Sequence, residues 1–160
     1  MDHLWSPWRY RYVSKADPGP GCVFCLKPAE NRDSDNLILY RGPKCYVVMN
    51  LFPYTTGHLL VVPYEHVATL EETSEAALQE MMSLTRSAAR HLGEVYKPKG
   101  LNIGMNLGEC AGAGIAGHIH MHVLPRWPGD VNFMTAVGET RILPEDLRTT
   151  YEKLSRAFAC

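Results

Sequence analysis

Apolar residues along the chain alternate between two periods. Leu37-Ile38-Leu39-Tyr40, Cys45-Tyr46-Val47-Val48-Met49 and His58-Leu59-Leu60-Val61-Val62-Pro63 are short runs rich in β-branched and aromatic residues, the composition of strands. Arg41-Gly42-Pro43-Lys44 separates the first two and predicts a hairpin, while Pro63 is tolerated at the end of the third. From about Thr73 to Tyr96 the period lengthens. Leu78, Met81, Met82, Thr85, Ala88, Ala89, Leu92 and Val95 fall at i, i+3, i+4 spacing and predict one long helix with a single buried stripe. Thr73 is its expected N-cap, Lys97-Pro98-Lys99-Gly100 its stop, and His91 a structural residue beside the stripe. Leu101–Asn106 reads as a fourth strand and His118–Pro125 as a fifth. Leu147, Tyr151, Leu154 and Phe158 mark a last helix beginning near Pro144. Short connections between strands predict an α+β domain: an antiparallel five-stranded sheet with one long helix and a C-terminal helix.

The fifth strand carries the chemistry. In His118-Ile119-His120-Met121-His122-Val123 imidazoles alternate with apolar side chains, so the three histidines would share one face, about 6–7 Å apart, with the apolar set turned to the core. One histidine is usually a packing residue; three in strict alternation are hard to explain by packing. Two chemistries suit them. All three could hold one catalytic metal with an open position. Alternatively one neutral imidazole could attack phosphorus, its neighbours stabilising the charge that develops. The preceding loop, Leu107–Gly117, holds four glycines and three alanines. Such a loop can be a plain hairpin connection, or a cradle whose amides approach a phosphate unobstructed.

Composition narrows the partners. The 160 residues are 46% hydrophobic and 21% charged with a formal net charge of -1, so nothing global selects nucleic acid or an anionic membrane, and an anionic ligand must be held locally. No apolar run approaches the length of a membrane span, and Met1-Asp2-His3-Leu4-Trp5 does not read as a signal peptide, so neither is expected. Five cysteines, with only Cys22 and Cys25 closely spaced, fit a reducing, cytoplasmic setting better than a disulfide framework. Cys22-Val23-Phe24-Cys25 could be two buried thiols, a redox pair or half of a zinc knuckle. The Pro/Gly turns before it, where a redox motif wants a strand, favour the knuckle, which needs two further ligands. Cys45 is expected to be a small buried apolar group. Residues 1–13, with two tryptophans and two tyrosines, read as an arm whose aromatics lie on the domain or a partner subunit, with direct ligand contact as the alternative.

These residues together resemble the histidine triad (HIT) superfamily. His118-Ile-His-Met-His-Val-Leu carries its defining motif and Gly57-His58-Leu59-Leu60-Val61-Val62-Pro63 its upstream strand. Trp5-Ser6-Pro7-Trp8-Arg9, Gly104-Met105-Asn106-Leu107-Gly108, Ala111–Ile115 and Pro125-Arg126-Trp127 are similar to the bacterial branch of diadenosine tetraphosphate phosphorylases. The resemblance spans almost the whole chain. It implies a single HIT domain over 1–160, with 1–20 as an N-terminal arm and 135–160 as a C-terminal extension, joined edge to edge in a homodimer. It also implies a nucleotide or dinucleoside polyphosphate substrate, His120 as nucleophile, and His122 and His58 as the residues that hold the α-phosphate. Asn50 would contact ribose, Asn106 the phosphate bridge, and Trp127 base or ribose, with Gly112 and Gly114 in the phosphate loop. Cys22, Cys25, His66 and His118 would hold a structural zinc. Inorganic phosphate or water would accept the nucleotide; a hydrolase releasing AMP and a zinc-stabilised binding protein with little turnover are the alternatives. Many relatives carry Gly-Gln-Ser/Thr before the triad. Here Gly114-Ile115 offers no hydroxyl, so backbone amides or water must assist the leaving group.

Overall fold

The computed structural model describes residues 21–130 and 143–159, so the N-terminal arm, Trp5 to Arg9 included, lies outside the described residues. Five strands form one sheet: β1 (Ile38–Arg41), β2 (Cys45–Met49), β3 (Leu59–Pro63), β4 (Gly100–Gly104) and β5 (Met121–Arg126). Their order is β1-β2-β3-β5-β4 and every neighbouring pair is antiparallel. The long helix α3 (Glu75–Tyr96) connects β3 to β4. This crossover sends β4 to the sheet edge and leaves β5, with its histidine, in the interior between β3 and β4.

The two faces of the sheet have different jobs. On one, Val47, Leu59, Val61, Ile119, Met121 and Val123 meet Ala77, Met81, Ala88 and Leu92 of α3 and Leu154 of the C-terminal helix α4 (Leu147–Phe158) in the main core. On the other, Ile38, Tyr46, Val48, Leu60 and Val62 gather around Phe24 of a short helix, α1 (Val23–Ala29). The Tyr46 hydroxyl donates to the Phe24 carbonyl (2.8 Å), fixing α1 on that face. Arg41 grips Asp33 of the four-residue helix α2 (Asp33–Asn36) with two nitrogens and also donates to the Pro28 carbonyl (2.8 Å).

Several sequence expectations shift in detail. The N-cap of α3 is Ser74, whose hydroxyl accepts from Ala77 N–H, whereas Thr73 turns its hydroxyl back to the Thr69 carbonyl. Met82, expected in the buried stripe, is 58% exposed, because it sits at the margin of the helix face. His91 is buried in the angle between α3 and α4, its ring 4.4 Å from that of Phe158. Cys45 is fully buried and its thiol is pushed up to about 12, mainly by desolvation. The helices α1 and α2 have no counterpart in the sequence reading. α4 is capped by Asp146, which accepts from the amides of Arg148 and Thr149, and Leu154 delivers it to the main core.

The fifth strand is shorter than its sequence pattern. Ladder pairing between β3 and β5 ends at Val61↔Met121, so His118, Ile119 and His120 precede the strand. The Ile119 amide leaves the sheet to bond the Val67 carbonyl (2.8 Å). The alternation survives this: Ile119, Met121 and Val123 enter the main core, and the three imidazoles take the opposite side, all buried.

Candidate active site and metal centre

Hydrogen bonds fix the tautomer of each imidazole, and the tautomers distinguish the rings. His120 Nδ1 lies 2.9 Å from the His118 carbonyl, an acceptor only, so Nδ1 carries the proton and the lone pair is on Nε2. Tyr54 N–H donates to His58 Nδ1 (3.1 Å), which therefore accepts; the Asn50 side-chain amide reaches the same nitrogen at 3.2 Å. His58 Nε2–H then donates to His122 Nδ1 at 2.8 Å. His122 is left with its proton on Nε2, a buried nitrogen with no hydrogen-bond partner among the described residues. A buried donor of this kind, lining a cleft, is placed to receive an acceptor oxygen.

Burial disfavours the charged forms of His120 and His122. Desolvation lowers the pKa of His120, and lowers that of His122 to about 4 with His120 adding to the effect. Since His122 falls from an ordinary 6.5 to about 4, the folded protein takes up fewer protons than the unfolded chain between those values, and stability rises with pH across that window. Turnover at constant substrate is accordingly expected to persist below pH 6.5, with the acid limb of its profile nearer 4. A kcat/KM profile between pH 4 and 8 checks this; an acid limb centred on 6.5 or above contradicts it.

A cleft with about 130 Å³ of interior space opens beside these rings, lined by His120 and His122, Phe24 and Lys27 of α1, Leu60 of β3, and Tyr54. Of the residues expected from sequence, Asn50, Asn106, Gly112 and Gly114 also line it. Both ends of the Asn50 amide are occupied: nitrogen on His58, oxygen accepting from Phe52 N–H (3.0 Å). Trp127 is not brought to the cleft by this chain. It stands edge-on to Tyr96 at the end of α3, 6.4 Å between ring centroids. In the glycine loop, the amides of Ala111, Gly112 and Ala113 bond back to Gly108 and Glu109, and Gly112 makes that turn at φ +88. Farther along the loop, Gly114 and Ile115 line the cleft. Gly57, entering β3, has φ +77, and a Cβ there would come within 3.1 Å of Leu92 and 3.3 Å of Pro125. Only glycine allows the His58 loop to approach α3 so closely.

Phe24, Lys27 and Tyr54 were not singled out by the sequence. Phe24 lies between the two cysteines, its ring 4.9 Å from that of His120. Lys27 sits two residues after Cys25 on a helix too short to show periodicity.

A second cluster adjoins the first. One ligand atom each from Cys22, Cys25, His66 and His118 lies within 4.8 Å of all the others. His118 Nε2 lies 2.9 Å from the Pro63 carbonyl and so carries the proton, which leaves Nδ1 as the lone-pair atom, 3.3 Å from the Cys22 sulfur and 3.6 Å from that of Cys25. A ring nitrogen held on a backbone carbonyl with its partner nitrogen turned to thiols is the arrangement of a metal-ligating histidine. Two sulfurs and two imidazoles fit a tetrahedral zinc, so the cluster could hold a metal ion that ties α1 to the segment bearing His120. The geometry does not favour the alternative with all three triad histidines on one ion: the lone-pair nitrogen of His118 is turned to the two thiols, and that of His122 is taken by the His58 N–H.

The fold and these two clusters define a histidine-triad protein, and comparison with known families agrees: the HIT domain matches residues 31–129, and the chain belongs to that family. It is 40% identical to the AP-4-A phosphorylase of Mycobacterium tuberculosis, over 99% of this chain and 85% of that protein. It is 28% identical to the protein Hit of Bacillus subtilis, over 86% of this chain and 94% of that one. Among solved structures, a zinc-bound histidine triad family protein from Mycobacterium smegmatis superposes with a TM-score of 0.70 at 29% identity, covering 87% of this chain and 94% of that one.

Proposed function

We propose that this chain is a nucleotidyl transferase acting on dinucleoside polyphosphates, converting diadenosine tetraphosphate and phosphate to ADP and ATP. The observation that carries this reading is the fixed tautomer of His120, which leaves the Nε2 lone pair on a neutral imidazole lining the cleft. The 40% identity to an AP-4-A phosphorylase supports the substrate class.

In the first step His120 Nε2 attacks the α-phosphorus, forming a P–N bond as the P–O bond to the polyphosphate breaks and its electron pair leaves with ATP. The imidazole becomes cationic, and the His118 carbonyl steadies that charge through Nδ1–H. His122 Nε2–H donates to an oxygen on the same phosphorus, its other nitrogen held by His58. Asn50 and the Tyr54 amide hold His58 in turn, and the backbone at Gly114 and Ile115, or water, receives the remaining charge where relatives use a hydroxyl. In the second step an oxygen of inorganic phosphate attacks the same phosphorus, the P–N pair returns to Nε2, and ADP departs. Zinc on Cys22, Cys25, His66 and His118 is structural in this account and takes no part in either step. The open edge of the sheet, β4, with Ile103 49% exposed, supports a homodimer joined edge to edge.

Product analysis tests the reading. Pure protein given diadenosine tetraphosphate is expected to yield ADP and ATP only when phosphate is present, and oxygen-labelled phosphate should appear in the ADP. AMP and ATP in equal amounts, whatever the phosphate concentration, would establish the hydrolase instead.

A further inference from the structure

We propose that Lys27 binds the acceptor phosphate and so decides that phosphate, rather than water, discharges the nucleotidyl-enzyme; this rests on the phosphorolytic reading above. The physical problem is one of charge. The second step must bring an anionic phosphate against a phosphorus that already bears anionic oxygens, and neutral water competes without that penalty. Neutral donors alone discriminate weakly between the two, whereas a cation in a partly desolvated site favours the anion strongly.

The cleft has one such cation. Among the described residues that line it, Lys27 is the sole lysine or arginine, and none is Asp or Glu. The histidines do not supply the charge, since His120 offers the cleft a lone pair on Nε2 and the second nitrogen of His122 is occupied by the His58 N–H. Lys27 is half-buried; the acidic side chain that bears on it, Glu30, is already engaged by Asn36 and Arg32 (2.9 Å each). Its backbone is pinned on both sides. The Lys27 carbonyl accepts from the Asn36 amide (3.2 Å), and the next carbonyl, Pro28, accepts from Arg41 (2.8 Å). The side chain therefore starts from a fixed point on α1, on the same helix as Phe24, which touches His120. A lysine suits this task better than an arginine in one respect: its compact charge can follow a small ligand that arrives, reacts and leaves.

The test is the partition of the nucleotidyl-enzyme. Wild type, Lys27→Met and Lys27→Arg are given diadenosine tetraphosphate at a series of inorganic phosphate concentrations, and ADP and AMP are both measured. Methionine keeps the apolar stem against α1 and removes only the charge, and melting temperatures report whether each variant is folded. Lys27→Met is expected to raise KM for phosphate about 10- to 100-fold and to shift products from ADP toward AMP, with Lys27→Arg recovering much of the phosphate route. A KM for phosphate and an ADP:AMP ratio within about twofold of wild type, below any charge-assisted contact, would overturn the proposal. So would a rise confined to KM for the dinucleotide, which would place Lys27 on the departing polyphosphate. If wild type itself makes no ADP from phosphate, the phosphorolytic reading fails first and the proposal goes with it, a result visible before any variant is made.

Discussion

Replacing His120 by alanine is expected to lower the rate of nucleotide release by about 10⁵-fold or more, because under the proposed mechanism the variant lacks the atom that bonds to phosphorus. His122→Ala provides the scale. It removes one donor, Nε2–H, and is expected to cost roughly 10²–10³ in kcat, as losing one transition-state donor does. The interval between the two separates a nucleophile from a charge stabiliser. Neither change creates a large cavity in the main core, since both rings lie on the opposite side of the sheet from α3. The melting temperature of His120→Ala should accordingly stay close to that of wild type, and its affinity for nucleotide should survive. A binding protein with little turnover predicts instead that wild type and His120→Ala release nucleotide equally slowly.

The second large effect is on stability. Purified protein is expected to contain about one zinc per chain, lost together with stability on Cys22→Ser or on chelation. With zinc at about a thousandfold its Kd, binding contributes roughly 4 kcal/mol, or about 8–16 °C in Tm for a domain of this size. The loss should begin at α1. Without metal, the cysteines no longer tie that helix to His118, and Phe24 is freed from the ring of His120. Activity should therefore fall as the helix loosens, even under conditions where the sheet remains folded. Calorimetry paired with metal analysis checks this. A Cys22→Ser variant that melts with the wild-type protein and still binds one zinc would contradict the assigned ligand set.

Much of this fold was legible because its strongest signals are periodic. The alternation from His118 to Val123 correctly separated core from site although half of it lies outside the ladder, because an extended backbone keeps successive side chains on opposite sides with or without a paired neighbour. The stripe on α3 was equally clear, but its edge was not: periodicity alone does not tell that Met82 faces solvent while Leu84 packs on the core. The helix start slipped by one residue because Thr73 and Ser74 are both good caps, and the choice depends on where each hydroxyl finds a partner. Short helices were invisible for a different reason. Seven residues of α1, with Pro28 among them, show too little of a repeat to be read.

The site divides along the same line. Its histidines and cysteines were found because their side chains are rare and regularly spaced. Their roles came from resemblance, and the tautomers of His58, His120 and His122 are a property of three-dimensional contacts, with Tyr54, Asn50 and a backbone carbonyl as the deciding partners. Lys27 had no signal at all. A lysine on a short helix is ordinarily a solvated residue, and only the contact of α1 with the histidine face brings it to the cleft.

The central claim is that His120 Nε2 becomes covalently bonded to the α-phosphorus of the substrate. The most direct measurement is mass spectrometry of protein quenched under alkaline conditions, where an N-phosphorylated imidazole survives, after brief mixing with diadenosine tetraphosphate in the absence of phosphate. The account predicts one nucleotidyl group on the peptide carrying His120, discharged as ADP when phosphate is added and absent from His120→Ala. Nucleotide release by a protein that never acquires that mass, or acquires it equally in His120→Ala, would contradict it.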